Sequence, residues 1–262
     1  MVWVHYKGRG RHDLPWRKTR DPYRILVSEV MLQQTQVDRV IPFYTKFIKT
    51  FPTARKLAQA PLSEVLISWQ GLGYNRRAKM LHQAAKAIVE RGMPKEVSGL
   101  ESLPGVGPYT ARAVAAFSWD ADVVVIETNI RTAVIQHFFG GNTTIYGSVS
   151  DEQIHEVLAK VLPKGKAREW YSALMDYGAH LKRSGVSHNA RSAGHAKQSR
   201  FTGSLREARG AILRELAGGD APRTRIVNAL GGDRSEQLAL ALEHMRAEGL
   251  VCSKKGRYAL PS

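Results

Sequence analysis

Apolar residues recur at helical spacing through most of residues 21–180, and glycine or proline separates the successive segments. Asp21-Pro22-Tyr23 opens the first segment, since proline is accepted at a helix start. The run Val123–Ile126 is the only strong strand-like stretch in this part of the sequence, and it fits either a short strand or a buried extended connection. The other segments predicted to be helical are 38–50, 53–60, 62–70, 75–91, 108–118, 128–138, 151–161 and 167–182. The pattern therefore predicts a mainly α fold, with an all-α domain over residues 1–182.

The pattern changes after this domain. Residues 183–204 are small, polar and basic, which predicts a linker or a phosphate-contacting loop. Residues 205–262 predict three helices and then two alternating runs around Lys254-Lys255-Gly256. Three helices followed by a hairpin suggest a small winged-helix-like module. The predicted elements of this module are the helices 205–217, 223–230 and 234–248 and the strands 250–253 and 257–260.

The charge of the chain narrows its partners. Lysine and arginine number 39 against 23 acidic residues, a formal net charge of +16. Such an excess is typical of proteins that bind nucleic acid or another polyanion, although a solubilising surface is the alternative. The net charge alone does not decide between a polyanion-binding surface and a solubilising surface.

Other bulk features exclude several classes. The sequence contains no stretch of about 18 apolar residues, so no membrane span is predicted. Its first residues lack the apolar segment of a secretory signal. Cys252 is the only cysteine, which excludes an intramolecular disulfide and a four-thiolate iron–sulfur cluster. We expect a reduced, intracellular protein, located with the nucleoid in the cytoplasm, and no metal site.

The string LPGVGPYT lies between two helical segments. Gly105 and Gly107 permit a tight turn whose main-chain N–H groups a phosphate can approach, and the next helix begins near Pro108. An ordinary helix–helix turn is the alternative. The string resembles the hairpin of the helix-hairpin-helix DNA glycosylases, which implies that it binds DNA backbone without reading sequence, with a monovalent cation as a possible ligand. The hairpin residues predicted to bind DNA are Gly105, Val106, Gly107 and Thr110.

Tyr109 follows this hairpin. In the family, members that also cleave the DNA strand carry a lysine at this position, whose amine forms a Schiff base. Tyrosine has no such amine. The resemblance therefore implies a monofunctional glycosylase that uses water as its nucleophile.

Glu29 stands in the otherwise apolar segment SEVMLQQT. A lone ionised carboxylate is costly in such a setting, whereas a buried glutamate has a raised pKa and can deliver a proton near neutrality. The alternative is a partly exposed glutamate paired with Arg17 or Arg24.

Four strings in order, DLPWR, DPYRILVSEVMLQQTQV, WQGLGYNRRAK and LPGVGPYTARAV, closely resemble the MutY-type adenine DNA glycosylases over residues 11–181. The resemblance implies that Glu29 protonates the base, and that Tyr109 and Asn129 orient Glu29, the sugar and the attacking water. It further implies a base pocket shaped by Trp16 and Arg17. The residues it implies in DNA binding are Leu32, Gln33 and Gln34 as a wedge, Tyr74 as an inserting side chain, and Arg76.

The chain departs from this family at three places. Glu127, in the string VIETNIRT, stands where the family normally carries aspartate facing the sugar cation, and its extra methylene moves the carboxylate by about 1.5 Å on a fixed backbone. Lys182 falls where the first cluster cysteine is expected, so Lys182 and Arg183 are predicted to contact phosphate instead. Residues 205–262 are too short for the family's 8-oxoguanine recognition domain. Their predicted wing would bind duplex through Lys254 and Lys255.

These features predict a monomeric, monofunctional base-excision glycosylase that acts on double-stranded DNA and removes adenine opposite 8-oxoguanine or guanine. Glu29 is the predicted general acid and Glu127 the predicted cation stabiliser. Two alternatives stay open: a mismatch thymine or uracil glycosylase on the same scaffold, and a DNA-damage binding protein whose catalysis is impaired at Glu127.

Overall fold

The computed structural model describes residues 1–140, 148–186, 188, 200–230 and 232–262, apart from the side chain of Lys254. These residues are mainly helical, as predicted. The α-helices in chain order are α1 (Val2–Arg9), α2 (Pro22–Leu32), α3 (Val37–Thr50), α4 (Ala54–Gln59), α5 (Leu62–Trp69), α6 (Arg76–Arg91), α7 (Val97–Glu101), α8 (Pro108–Trp119), α9 (Thr128–Phe138), α10 (Asp151–Val161), α11 (Ala167–Arg183), α12 (Leu205–Ala217), α13 (Arg223–Val227) and α14 (Ser235–Ala247). The strands are β1 (Ala221–Pro222), β2 (Cys252–Lys254) and β3 (Arg257–Ala259), and short 3₁₀ turns span Pro15–Lys18 and Gly232–Arg234.

The chain divides into two compact units, each assembled from separate segments. The first unit comprises Met1–Glu29, Pro94–Ser102 and Val106–Lys197. The second comprises Val30–Met93, Leu103–Gly105 and Gln198–Ser262. Residues 205–262 thus belong to the same compact unit as α3–α6. The sequence instead predicted domain boundaries after residues 182 and 204.

The core of the first unit lies among α8, α9, α10 and α11. Small residues on α8, such as Ala113 and Ala116, allow close packing, while Ile130, Leu158 and Tyr171 fill the space between the helices. Two N-caps fix the helix starts in this unit: Ser150 forms a capping box with Gln153 at α10, and Glu127 caps α9. This core supports the start of α9.

The second unit has its own core. In α3 the buried residues Val40, Tyr44 and Phe47 recur at spacings of three and four, as expected of an amphipathic helix. Phe47 packs edge-on against Trp69 of α5, with ring centroids 5.7 Å apart. Thr53 caps α4 by accepting a hydrogen bond from the Lys56 N–H.

The last residues of the chain form three helices and a small antiparallel sheet in the order β1-β3-β2. Ala221 is opposite Tyr258, and Ser253 is opposite the same residue from the other side. Helix α12 packs against α14 and α5. The predicted helix at 223–230 is shorter, since α13 ends at Val227.

Three further differences from expectation are local. Val123–Ile126 is an extended connection that pairs with no strand among the described residues, which is one of the two alternatives. Helices α1 and α7 were not predicted, because neither carries a long apolar period. Most of the predicted linker, including residues 189–199, lies outside the described residues. In the described part of the chain, every helix is too short or too polar to cross a lipid bilayer.

Candidate active site

Glu29 is buried on α2, with 5% of its surface exposed, among the fully buried neighbours Leu26 and Val27. The Tyr109 hydroxyl donates a hydrogen bond to Glu29 Oε2 at 3.1 Å. Burial raises the pKa of Glu29 to about 7, the Tyr109 hydrogen bond opposes this, and the negative charge of Glu127 adds to it. Glu29 is thus a carboxyl group that exchanges a proton near neutrality, as the sequence predicted.

Glu127 is the N-cap of α9. Its Oε1 accepts hydrogen bonds from the backbone N–H groups of Asn129 at 2.8 Å and Ile130 at 2.9 Å. Its Oε2 accepts a bond from Asn129 Nδ2 at 3.3 Å. Burial raises the pKa of Glu127, whereas these N–H groups and the positive charge of Lys182 lower it. The longer side chain therefore turns back to satisfy the helix start, the task an N-cap aspartate performs.

Helix α11 approaches the start of α9 very closely at Gly178. A Cβ atom on Gly178 would lie 2.0 Å from the Asn129 carbonyl oxygen, so only glycine fits. Lys182 lies one turn later on the same face of α11, and helical side chains lean toward the N-terminus of their helix, here toward Asn129. Burial lowers the pKa of Lys182, and the nearby Glu127 carboxylate opposes that shift. Lys182 is consequently a neighbour of the predicted catalytic carboxylate, while Arg183 is exposed.

The two predicted base-pocket residues lie in the 3₁₀ turn Pro15–Lys18, and Trp16 is buried. The Arg17 guanidinium makes a two-pronged ion pair with Asp176, with contacts of 2.6 and 3.0 Å. Arg11 also pairs with Asp176, and Arg24 lies 3.9 Å from Asp21. The alternative in which Glu29 pairs with Arg17 or Arg24 is therefore not what the structure forms. Asp176, which is 2% exposed, was not among the predicted site residues. A lone aspartate within the apolar face of α11 could have indicated a buried ion pair.

The hairpin leaves its main chain accessible. Gly105 adopts a φ of 75°, and a Cβ there would come within 2.4 Å of Met80 Cβ, so both conformation and space require glycine. Gly107 is the exposed N-cap of α8, followed by Pro108 at the first helical position. The side chains of Val106 and Thr110 are buried. Any phosphate contact by these two residues would use the main chain.

The predicted wedge and inserting residues lie in two loops of the second unit. Leu32 and Gln33 are half-buried and Gln34 is exposed; Gln34 and Tyr74 both adopt left-handed backbone conformations, with φ of 57° and 49°. Lys255 is exposed in the turn between β2 and β3. Lys254 is the last residue of β2, and its predicted DNA contact lies outside the described side chains.

Arg77 joins these two loops, although the sequence pointed to its exposed neighbour Arg76 instead. Its guanidinium donates to the carbonyl oxygens of Val30 at 2.8 Å and Gly73 at 3.2 Å, and also to that of Gln33. It lies 5.3 Å from the centroid of the Tyr74 ring. Burial lowers the pKa of Arg77 to about 10. The apolar periodicity of α6 could have indicated that Arg77 faces the core, because it shares a face with the buried Leu81 and Ala84.

Comparison with known proteins identifies the family. The family model for the HhH-GPD superfamily of base excision DNA repair proteins matches residues 27–175. The chain belongs to this superfamily. The matched stretch contains Glu29, the hairpin, Tyr109, Glu127 and Asn129, whereas Arg17 and Lys182 lie outside it.

Relatives of this HhH-GPD protein carry a more specific name. A protein of Mycolicibacterium smegmatis named adenine DNA glycosylase is 38% identical, over 95% of this chain and 92% of its own length. Another of that name from Mycobacterium tuberculosis is 36% identical over 97% of this chain and 90% of its own. These alignments extend over most of residues 205–262. The resemblance to adenine DNA glycosylases is confirmed.

The fold matches solved structures of the same superfamily. The structure of a thermostable thymine-DNA glycosylase aligns with a TM-score of 0.58 and 28% identity, over 68% of this chain and 83% of that one. The predicted helix-hairpin-helix glycosylase fold is thus confirmed. In the described residues, no group of three or more His, Cys, Asp or Glu side chains is arranged to hold a metal ion.

Proposed function

We propose that this protein is a monofunctional DNA glycosylase that removes adenine from a mispair with 8-oxoguanine or guanine. The observation that carries the proposal is the buried Glu29, whose pKa of about 7 and bond from Tyr109 suit a general acid. The names of the two mycobacterial relatives support adenine as the base.

The first step is departure of the base. With the nucleotide flipped out of the duplex, the protonated Glu29 gives its proton to a ring nitrogen of adenine. The bond between sugar C1′ and the base then breaks, and its electron pair leaves with the now neutral adenine. The sugar is left with positive charge, and Glu29 is left ionised.

The second step is attack by water. Glu127 lies near enough to raise the pKa of Glu29 and is held in one orientation by the start of α9, so its charge can stabilise the sugar cation. Water forms the new C–O bond and passes a proton to Glu127, which leaves an abasic sugar. Asn129, whose amide contacts Glu127 Oε2, positions that carboxylate.

No later strand cleavage is proposed. Tyr109 lies at the Glu29 carboxylate and has no amine to form a Schiff base with the abasic sugar. Because one cysteine cannot supply four thiolates, we propose no iron–sulfur cluster, and the two steps above are written with side chains and water. We further propose that the protein acts on duplex DNA as a monomer.

A second substrate class rests on one observation. The thymine-DNA glycosylase that aligns with this chain is 28% identical, so removal of thymine or uracil on the same scaffold is the runner-up. A binding protein with impaired catalysis is the third reading, and the cap bonds of Glu127 argue for an ordered rather than a lost carboxylate.

The test is a panel of duplexes that carry A, T, U or hypoxanthine opposite G or 8-oxoguanine, treated with alkali after incubation. We expect release of adenine by the wild type and none by Glu29→Gln. Cleavage confined to T or U would establish the runner-up, and tight binding without cleavage the third reading. Strand breaks before alkali would contradict the role given to Tyr109.

A further inference from the structure

Tyr74 is contacted by an arginine from a distant part of the chain. The Arg206 guanidinium, in the first turn of α12, lies 5.4 Å from the centroid of the Tyr74 ring. Its Nη1 donates to the Tyr74 hydroxyl at 3.3 Å. Both residues belong to the second unit. Tyr74 therefore meets two cations, Arg206 from α12 and Arg77 from α6.

Arg206 is itself held in place. Its guanidinium lies 6.0 Å from the Phe201 ring centroid, and its Nη2 donates to the Arg200 carbonyl oxygen at 3.3 Å. Ser204 caps α12 by accepting the Glu207 N–H. An arginine fixed at several points can orient another side chain, whereas a mobile one cannot.

Helix α12 is anchored to the rest of its unit. Gln70 Nε2 donates to the Leu213 carbonyl oxygen at 3.0 Å, and Arg209 pairs with Glu248 at 2.5 Å. The position of Arg206 is thus set by the packing of α12 on α5 and α14.

The backbone of Tyr74 adds a second observation. A non-glycine residue at a φ of 49° is disfavoured and persists only where its surroundings hold it. Arg77 donates to the Gly73 carbonyl oxygen beside it, and Arg206 holds the ring and hydroxyl. These contacts hold the backbone, ring and hydroxyl of Tyr74 in one conformation.

We propose that Arg206 is a positioning residue that presets Tyr74 for insertion into DNA, so that residues 205–262 contribute to recognition of the mispair through it. The proposal rests on the proposed function and on the role that the family resemblance implies for Tyr74, insertion into the base stack. Ordering a side chain in advance removes an entropic cost of binding, equivalent to about 3- to 10-fold in affinity per residue.

A positioning role differs measurably from a simple phosphate contact. An arginine that binds phosphate strengthens matched and mispaired duplexes about equally. An arginine that acts through Tyr74 affects the mispaired duplex more, and its effect vanishes when Tyr74 is absent.

The experiment measures affinity for a G·A duplex and a matched duplex by fluorescence anisotropy, in the full chain carrying Glu29→Gln to prevent cleavage. Arg206→Ala should reduce the ratio of the two affinities by about 3- to 10-fold. Tyr74→Ala should reduce it at least as much, and the double variant no further. Arg214→Ala is the matched control, since it removes an exposed arginine from the same helix and should leave the ratio unchanged.

Three results would overturn the proposal: equal loss on both duplexes, full additivity with Tyr74→Ala, or tighter mispair binding by Arg206→Ala. If Arg206→Ala does not fold, Arg206→Lys, which keeps the charge but not the planar group, takes its place with the same criteria. The wild-type cleavage panel separates the two hypotheses. If adenine is released but the effects of Arg206→Ala and Tyr74→Ala on the affinity ratio are independent, only the role of Arg206 is refuted. If the two effects are coupled but no adenine is released, only the proposed reaction is refuted.

Discussion

Glu29 illustrates how burial, as the largest cause, can raise the pKa of an ordinary carboxyl group to near neutrality. Its ordinary pKa of 4.5 would leave it ionised at neutral pH, and burial on α2 raises the pKa to about 7. The Tyr109 hydroxyl gives the carboxylate one partner but does not cancel the loss of water. The chemistry thus depends on the apolar neighbours of Glu29 as much as on the carboxyl group.

The pH dependence of base release follows from this. Because only protonated Glu29 can donate, the single-turnover rate should fall about tenfold for each pH unit above roughly 7. Rates measured across that range on a G·A duplex test this. A rate that stays constant well into the alkaline range would show that another group supplies the proton.

The free energy of unfolding should also fall as the pH rises. The folded-state pKa of Glu29 lies above its unfolded value, so ionisation destabilises the fold as pH rises from 4.5 to about 7. Glu29→Gln should therefore be inactive yet more stable than wild type at alkaline pH, by up to about 3 kcal/mol, with little difference in acid. Urea unfolding at both ends of this range measures it, and Glu90→Gln, at an exposed position, is the control.

Glu127 serves both a helix and, as proposed, a reaction, and two variants separate these tasks. Aspartate can cap α9 equally well, so Glu127→Asp should cleave within about tenfold of wild type with unchanged stability. Glu127→Gln removes the negative charge and should slow cleavage by about 100-fold or more. Single-turnover rates and thermal melts provide both readouts. A fully active glutamine variant would exclude an electrostatic role.

At the scale of elements, the contact between α9 and α11 sets the geometry of the site. Gly178→Ala would place a methyl group 2.0 Å from the Asn129 carbonyl oxygen, so the helices must separate. We expect a loss of about 2 kcal/mol or more in the free energy of unfolding, together with slower cleavage.

The matched control is Gly210→Ala on α12, where the nearest atom to a new Cβ is the flexible end of Arg214 at 3.6 Å. This change should be neutral or stabilise by about 0.5–1 kcal/mol, because alanine favours helix. Equal effects of the two substitutions would mean that the close approach at Gly178 carries no special constraint.

The helices could be predicted from sequence because their apolar period is a local property. The predicted segments 62–70 and 75–91 match α5 and α6, each within one residue. Val123–Ile126 could not be decided, since an extended run becomes a strand only if a partner exists. Arg77 and Asp176 were missed for a related reason: each is recognised by its ion pairs or carbonyl contacts, and their partners lie elsewhere in the chain.

At the scale of the whole molecule, the net charge of +16 predicts binding that depends strongly on salt. If Arg76, Lys182, Arg183 and Lys255 each neutralise one phosphate, affinity for a matched duplex should fall about 100-fold between roughly 50 and 200 mM salt. Arg76→Ala should reduce the slope of log affinity against log salt by about 0.9. Anisotropy titrations measure this, and a slope near zero would contradict a backbone-binding surface.

Each of the two units is assembled from separate segments of the chain, and this affects folding during translation. The second unit needs Val30–Met93 and Gln198–Ser262, and most of the first unit is encoded between them. During synthesis, the face of α5 that packs against α12 stays uncovered while residues 94–197 emerge, on the order of 5–20 s at ordinary translation rates. The nascent chain therefore passes through a long interval with an unfinished core, in which chaperones on the ribosome have their opportunity to bind.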